Sequence, residues 1–223
     1  MATHLDLEEQ EQLDQFKHFW NQYGNLLTWL LVAVLAAYAG WNGWQWWQRD
    51  QGLKAGGMYG ELERVAQAGD AERAGKIFAE LKDRYGSTTF AGQGGLLAAR
   101  AQFEKGQLDA ARASLDWVAE HASEVEYRSI ARLRLAALLA EQKKFDEALK
   151  QLDGEFPAGF AALAADRRGD ILQAQGKPAD AVTAYQKAWQ DMDKTVDYRR
   201  LIAAKLTALG AAPAEAAASE ADK

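Results

Sequence analysis

Arg168–Tyr185 reads RGDILQAQGKPADAVTAY, and the block inside it, Gly176-Lys177-Pro178-Ala179-Asp180-Ala181, has counterparts upstream. They are Gly69-Asp70-Ala71-Glu72-Arg73-Ala74, Gly106-Gln107-Leu108-Asp109-Ala110-Ala111 and Lys143-Lys144-Phe145-Asp146-Glu147-Ala148. The alanine closing each block falls at 74, 111, 148 and 181, giving spacings of 37, 37 and 33. Four residues after each alanine stands a larger apolar side chain: Phe78, Leu115, Leu152 and Tyr185. Two antiparallel helices cross closely only where a small residue sits at the contact, and the alanine supplies it. The bulky residue one turn later fills the gap to the next pair. Gly69, Gly106 and Gly176 stand where the first helix of a pair must end in a left-handed turn. Pro178 suits the first turn of its helix, where no N–H is needed.

This pattern resembles the tetratricopeptide repeat (TPR), a helix–turn–helix of about 34 residues. The last copy matches best; the first two are degraded. The expected fold is all-α, with a degenerate TPR α-solenoid over residues 58–209, against the rival of an irregular helical bundle with chance periodicity. Tyr198–Leu209 reads as a closing cap helix, with Leu201, Ile202, Leu206 and Leu209 on one face. Residues 210–223 are rich in Ala and Glu, lack bulky apolar side chains after Gly210, and read as a disordered tail.

Upstream lies a different kind of segment. Leu26–Trp47 reads LLTWLLVAVLAAYAGWNGWQWW and holds no charge. As a helix it extends roughly 33 Å, enough for a bilayer core of about 30 Å. Trp20 and Tyr23 precede it, and Trp41, Trp44, Trp46 and Trp47 close it, as expected of indoles at two headgroup zones. It is therefore read as a single N-terminal transmembrane helix in the lipid bilayer. A cleavable signal peptide is the first rival, with Ala37-Tyr38-Ala39 as its cleavage site, but such peptides carry a positive leader. Here residues 1–25 carry only Lys17 against Asp6, Glu8, Glu9, Glu11 and Asp14. A buried core helix is the second rival, disfavoured by the length of the apolar run. Leu13, Phe16, Trp20 and Tyr23 share one helical face, so the leader, residues 1–25, is acidic and amphipathic. Residues 48–57, with Gly52, Gly56 and Gly57, read as a flexible neck.

Composition excludes several chemistries. The 223 residues contain no Cys, which removes disulfides and thiol chemistry. The net charge of −6 argues against a nucleic-acid surface. His121 is the only His beyond the anchor, so no His-based metal cluster is expected. Gly92-Gln93-Gly94-Gly95 lacks the Lys-Ser/Thr of a phosphate loop. Asp166 and Asp170 share a helix face, as paired acids could, but flanking Arg167 and Arg168 favour a solvated charged face. No catalytic residue and no cofactor are expected.

Two candidate binding surfaces remain. In a TPR superhelix the first helix of each pair lines the concave face, by analogy with the repeat class. The alanine register then places Tyr59, Leu96, Arg100, Phe103, Ile130, Leu133, Asp166 and Asp170 on that face, unless Leu96, Phe103 and Leu133 are core. In the anchor, Ala33, Ala36, Gly40 and Gly43 line one stripe, where another helix could approach in lipid.

The whole layout resembles the YfgM-type ancillary subunits of the bacterial SecYEG translocon. The residues that carry this are Phe16-Lys17-His18-Phe19-Trp20-Asn21-Gln22-Tyr23-Gly24 before one anchor, and a degenerate TPR domain whose last repeat contains Arg168-Gly169-Asp170. The resemblance implies a non-enzymatic inner-membrane protein with a short cytoplasmic N-terminus and a periplasmic TPR domain. It implies SecYEG, the membrane-anchored chaperone PpiD and emerging client polypeptides as partners. The Lys/Arg count near the anchor points the other way, with Lys17 on the N-terminal side and Arg49, Lys54 and Arg64 on the C-terminal side. That rule weakens for long flanking domains, so the orientation implied by the resemblance is preferred. A membrane-anchored TPR scaffold for another cell-envelope assembly is the alternative.

Overall fold

The computed structural model describes residues 7–213, which form nine helices and no strand. They are α1 (Leu7–Gln67), α2 (Ala71–Tyr85), α3 (Thr89–Glu104), α4 (Leu108–His121), α5 (Val125–Glu141), α6 (Phe145–Gln151), α7 (Ala158–Ala174), α8 (Pro178–Asp191) and α9 (Tyr198–Ala208). The chain divides between Gln51 and Gly52 into two compact units.

The first unit holds the apolar part of α1, which among the described residues is the one candidate membrane span. Trp29, Leu30, Leu31 and Leu35 are each more than half exposed, whereas a core helix would bury them. Thr28 Oγ1 donates to the Gly24 carbonyl at 2.7 Å and Asn42 Nδ2 to the Tyr38 carbonyl at 3.0 Å. These polar side chains thus find their partners within the helix, as lipid requires. The aromatic ends are paired along the helix: Phe19 lies 5.2 Å from Tyr23, and Trp44 lies 5.2 Å from Trp47.

The second unit is built from the hairpins that the repeat predicts. The end of α1 meets α2, where Arg73 pairs with Glu61 and Leu62 and Val65 share a core with Ala74; α3 pairs with α4, α5 with α6, and α7 with α8, and α9 closes the array. Ala74, Ala111, Ala148 and Ala181 are fully buried, and Phe78, Leu115, Leu152 and Tyr185 nearly so. Each first helix ends in the same left-handed cap. Gly69, Gly106 and Gly176 have φ of 74°, 73° and 76°, and each N–H returns to the carbonyl three residues back. Lys143 takes this place in the third hairpin with φ of 59°, the described non-glycine residue with positive φ. Apolar burial is spread over three clusters in chain order, spanning α1 to α5, α5 to α7, and α7 to α9. That distribution is what a solenoid produces, because each hairpin packs only on its neighbours.

The short α6 leaves a loop, residues 152–157, that Arg132 organises. Its guanidinium donates to the carbonyls of Gln151 (3.0 Å), Glu155 (3.3 Å) and Asp153, and lies 4.0 Å above the Phe156 ring. Gly94 and Gly95, from the glycine-rich run, serve helix packing. A Cβ on Gly94 would stand 2.6 Å from Leu81 Cδ2, and one on Gly95 2.8 Å from Phe78 Cζ.

Two expectations change. Residues 48–57 are helical, so there is no loop-like neck. Ala55 is fully buried, and a Cβ on Gly56 would stand 3.3 Å from the Phe90 ring; packing on α3 outweighs the low helix propensity of glycine. In the cap helix, Ile202 and Leu206 are buried but Leu201 is 47% exposed, and Ala203 takes the inner position instead. The tail beyond Pro213, read as disordered, lies outside the described residues.

Candidate functional site

The first helices of the second and third hairpins, α3 and α5, lie side by side. Between them is a groove of about 410 Å³. Ala99, Arg100 and Phe103 of α3 form one wall, Arg134, Ala137 and Glu141 of α5 the other, over Leu115 and Leu138. Phe103 is 40% exposed, whereas Phe78 of the same domain is almost completely buried. Arg100 Nε donates to Glu104 Oε1 at 2.8 Å along the same helix. Arg134 Nη1 donates to the Leu96 carbonyl across the groove at 3.2 Å. Arg134 is exposed at the groove mouth, but partial desolvation of its guanidinium, and then the like charge of Arg100, hold its pKa below the usual arginine value.

Of the eight residues assigned to the concave face, Arg100 and Phe103 meet in this groove. Leu96 is buried in the first core cluster, and Ile130 packs against that cluster. Leu133 points to the second cluster with Phe145, Leu149 and Phe156. Tyr59 is partly buried, its ring 5.7 Å from Phe90, and burial raises its pKa. The groove also draws on Arg134, Ala137 and Glu141, which the alanine register does not assign to the concave face. The signal was present: they continue from Ile130 at i+4, i+7 and i+11, one helical row, whereas Leu133 lies off it.

Asp166 and Asp170 are not a solvated face. The Asp166 side chain is 3% exposed, and Lys205 of the cap helix donates to Asp166 Oδ1 and Oδ2 at 2.8 and 2.9 Å and to Asp170 Oδ1 at 2.7 Å. Tyr198 donates to Asp166 Oδ2 at 2.8 Å, and Tyr185 to Asp170 Oδ1 at 2.8 Å. Arg167 stands 3.6 Å from Asp170 Oδ2. The acids are therefore compensated from within the chain, through a partner 35 and 39 residues away that spacing alone does not reveal. Burial first, and the hydrogen bond to Asp166 second, push Tyr198 up to about 12. Tyr185 is raised further, by burial and then by Asp170.

In the candidate span, Ala33, Ala36, Gly40 and Gly43 are exposed. A Cβ added at Gly40 or Gly43 would meet nothing within 4 Å, so the stripe is open.

The fold and groove can be set beside known proteins. The family described as tetratricopeptide repeat-like domain matches residues 17–211. The chain is 33% identical over 211 residues to an ancillary SecYEG translocon subunit of Neisseria gonorrhoeae, covering 94% of this chain and 100% of that one. It is 29% identical over 181 residues to the ancillary SecYEG translocon subunit of Escherichia coli, covering 80% of this chain and 85% of that one. The protein of the same name in Haemophilus influenzae is 26% identical over 187 residues, 82% and 90% of the two chains. With an exposed apolar helix ahead of stacked helical hairpins and a match over nearly its whole length, this chain belongs to the family of ancillary SecYEG translocon subunits built on a tetratricopeptide repeat-like domain.

Proposed function

We propose that this protein is a non-enzymatic accessory subunit of the SecYEG translocon. Residues 26–47 cross the inner membrane once, with the N-terminus in the cytoplasm and the helical domain in the periplasm. There the domain holds emerging secretory polypeptides, the chaperone PpiD, or both in turn. The observation that carries the binding role is the groove between α3 and α5, with Phe103 turned outward and Arg100 and Arg134 beside it. An exposed ring in a shallow apolar groove suits partners that share chemistry but not sequence. The translocon as host is supported by the names of the relatives.

Crosslinking in native membranes followed by purification tests the reading. The channel subunits and PpiD should copurify with the wild-type chain. Phe103→Asp should keep its helical content and lose crosslinks to PpiD or to clients. Recovery of a different envelope assembly without the channel would sink the translocon assignment. Because the chain has no Cys, a single Cys at Glu126 gives a clean report of orientation. It should react with a membrane-impermeant thiol reagent in intact spheroplasts; reaction only after lysis would reverse the topology.

A further inference from the structure

The α3–α5 groove holds one arginine with an acid on it and one without. Two guanidinium groups, Arg100 and Arg134, border one cavity. Glu104 takes the Nε of Arg100. The described residues give Arg134 a carbonyl and no carboxylate: its hydrogen bond goes to Leu96, a neutral acceptor. Glu141 lies two turns further along α5, roughly 10 Å away by helical rise, and among the described residues it forms no ion pair with Arg134. The polar node at Asp166 shows how the same fold treats charge that has a partner, matching each cation to an acid. At Arg134 that match is missing, beside an exposed aromatic ring and alanine walls.

We propose that the groove binds an extended peptide through an internal Asp or Glu side chain seated between Arg100 and Arg134, with an adjacent apolar side chain packed on Phe103. A carboxylate there accepts from the planar fork of Arg134, and it separates two like charges. The walls select for a neighbour that is apolar. One guanidinium without an acid, beside another that already has one, fits a singly charged carboxylate better than a multiply charged phosphate. An internal side chain is favoured over a chain terminus, because a chain passing the domain presents acidic side chains repeatedly and its end only once. This inference rests on the groove being the working surface proposed above.

The test uses the full-length protein in lipid nanodiscs and peptides carrying a neutral dye. The first peptide is acetyl-Gly-Ala-Leu-Asp-Phe-Ala-Gly-amide, the second its Asn analogue, and the third the Asn analogue with a free C-terminal carboxylate. The Asp peptide should bind about tenfold more tightly than its Asn analogue, the size of one charge-assisted hydrogen-bonded contact. Arg134→Gln should abolish that preference, and Arg134→Lys should retain part of it. Equal binding of the Asp and Asn peptides, with both weakened by Phe103→Ala, would overturn the carboxylate inference and keep the groove. Preference for the free-terminus peptide over the Asp peptide would overturn the internal-acid assignment. Failure of all three peptides, with client crosslinks untouched by Phe103→Asp, would remove the groove reading itself.

Discussion

Lys205 Nζ lies within hydrogen-bond distance of both carboxylate oxygens of Asp166, at 2.8 and 2.9 Å, and of Asp170 Oδ1 at 2.7 Å. Its three N–H donors are therefore all used, and α9 is held to α7 by a charged contact that is buried at Asp166 and partly exposed at Lys205 and Asp170. The cap of this solenoid is fastened by polar chemistry as well as by Ile202 and Leu206.

Removing one side of a buried pair leaves the other charge stranded. Lys205→Met should destabilise the domain by about 3–5 kcal/mol, because Asp166 then remains buried without its cation. Lys205→Met combined with Asp166→Leu should be less destabilised than Lys205→Met alone. Thermal melts followed by circular dichroism check both; equal losses would show that the pair adds nothing beyond packing.

The same node predicts alkaline sensitivity. Tyr198 has its pKa raised to about 12 in the folded chain, above the value of about 10 for an unfolded tyrosine. Between those values the folded state holds the proton and the unfolded state has released it, so stability falls as pH rises. The contribution is complete below about pH 10 and lost by about pH 12, and Tyr185 acts in the same direction. Denaturation midpoints measured across this window should decline, and Tyr198→Phe should flatten the decline.

Lys143 sits in the left-handed region that glycine occupies at the other repeat turns. Lys143 is exposed, so its replacement sacrifices little packing. Lys143→Gly should stabilise the domain by about 1 kcal/mol, the strain of a Cβ in that region less the added freedom of the unfolded chain. A lower melting temperature for this variant would mean that backbone strain is not what limits the third hairpin.

Close helix crossings should resist any added bulk. Ala148 is fully buried between α5 and α6, so Ala148→Leu should cost about 1–3 kcal/mol. At Gly169 a new Cβ would overlap the Tyr185 ring, and Gly169→Ala should be destabilising as well. Gly40→Ala, in the open stripe of α1, should leave the melt of the helical domain unchanged. A domain indifferent to the first two changes would contradict the observed packing register.

The repeat was legible because its signals are local. An alanine, a bulky residue four positions on and a glycine at the turn each act within one hairpin, and the spacing of 37, 37 and 33 carries them along the chain. The apolar run Leu26–Trp47 was legible for the same reason, since length and lack of charge decide whether a helix can enter lipid. What the amino-acid order determined by itself was thus the helical class, the hairpin register and the candidate span. What only the tertiary structure decided was which side chain faces which neighbour. Asp166 and Asp170 look like a solvated pair until α9 brings Lys205 across 39 and 35 residues. Leu133 and Arg134 are adjacent in sequence, yet a rotation of about 100° per residue sends one toward α6 and α7 and the other into the groove. Residues 48–57 carry glycines that locally favour a break, and contact with Phe90 keeps them helical. In each case the deciding free energy comes from a contact distant in sequence, which local propensity cannot contain.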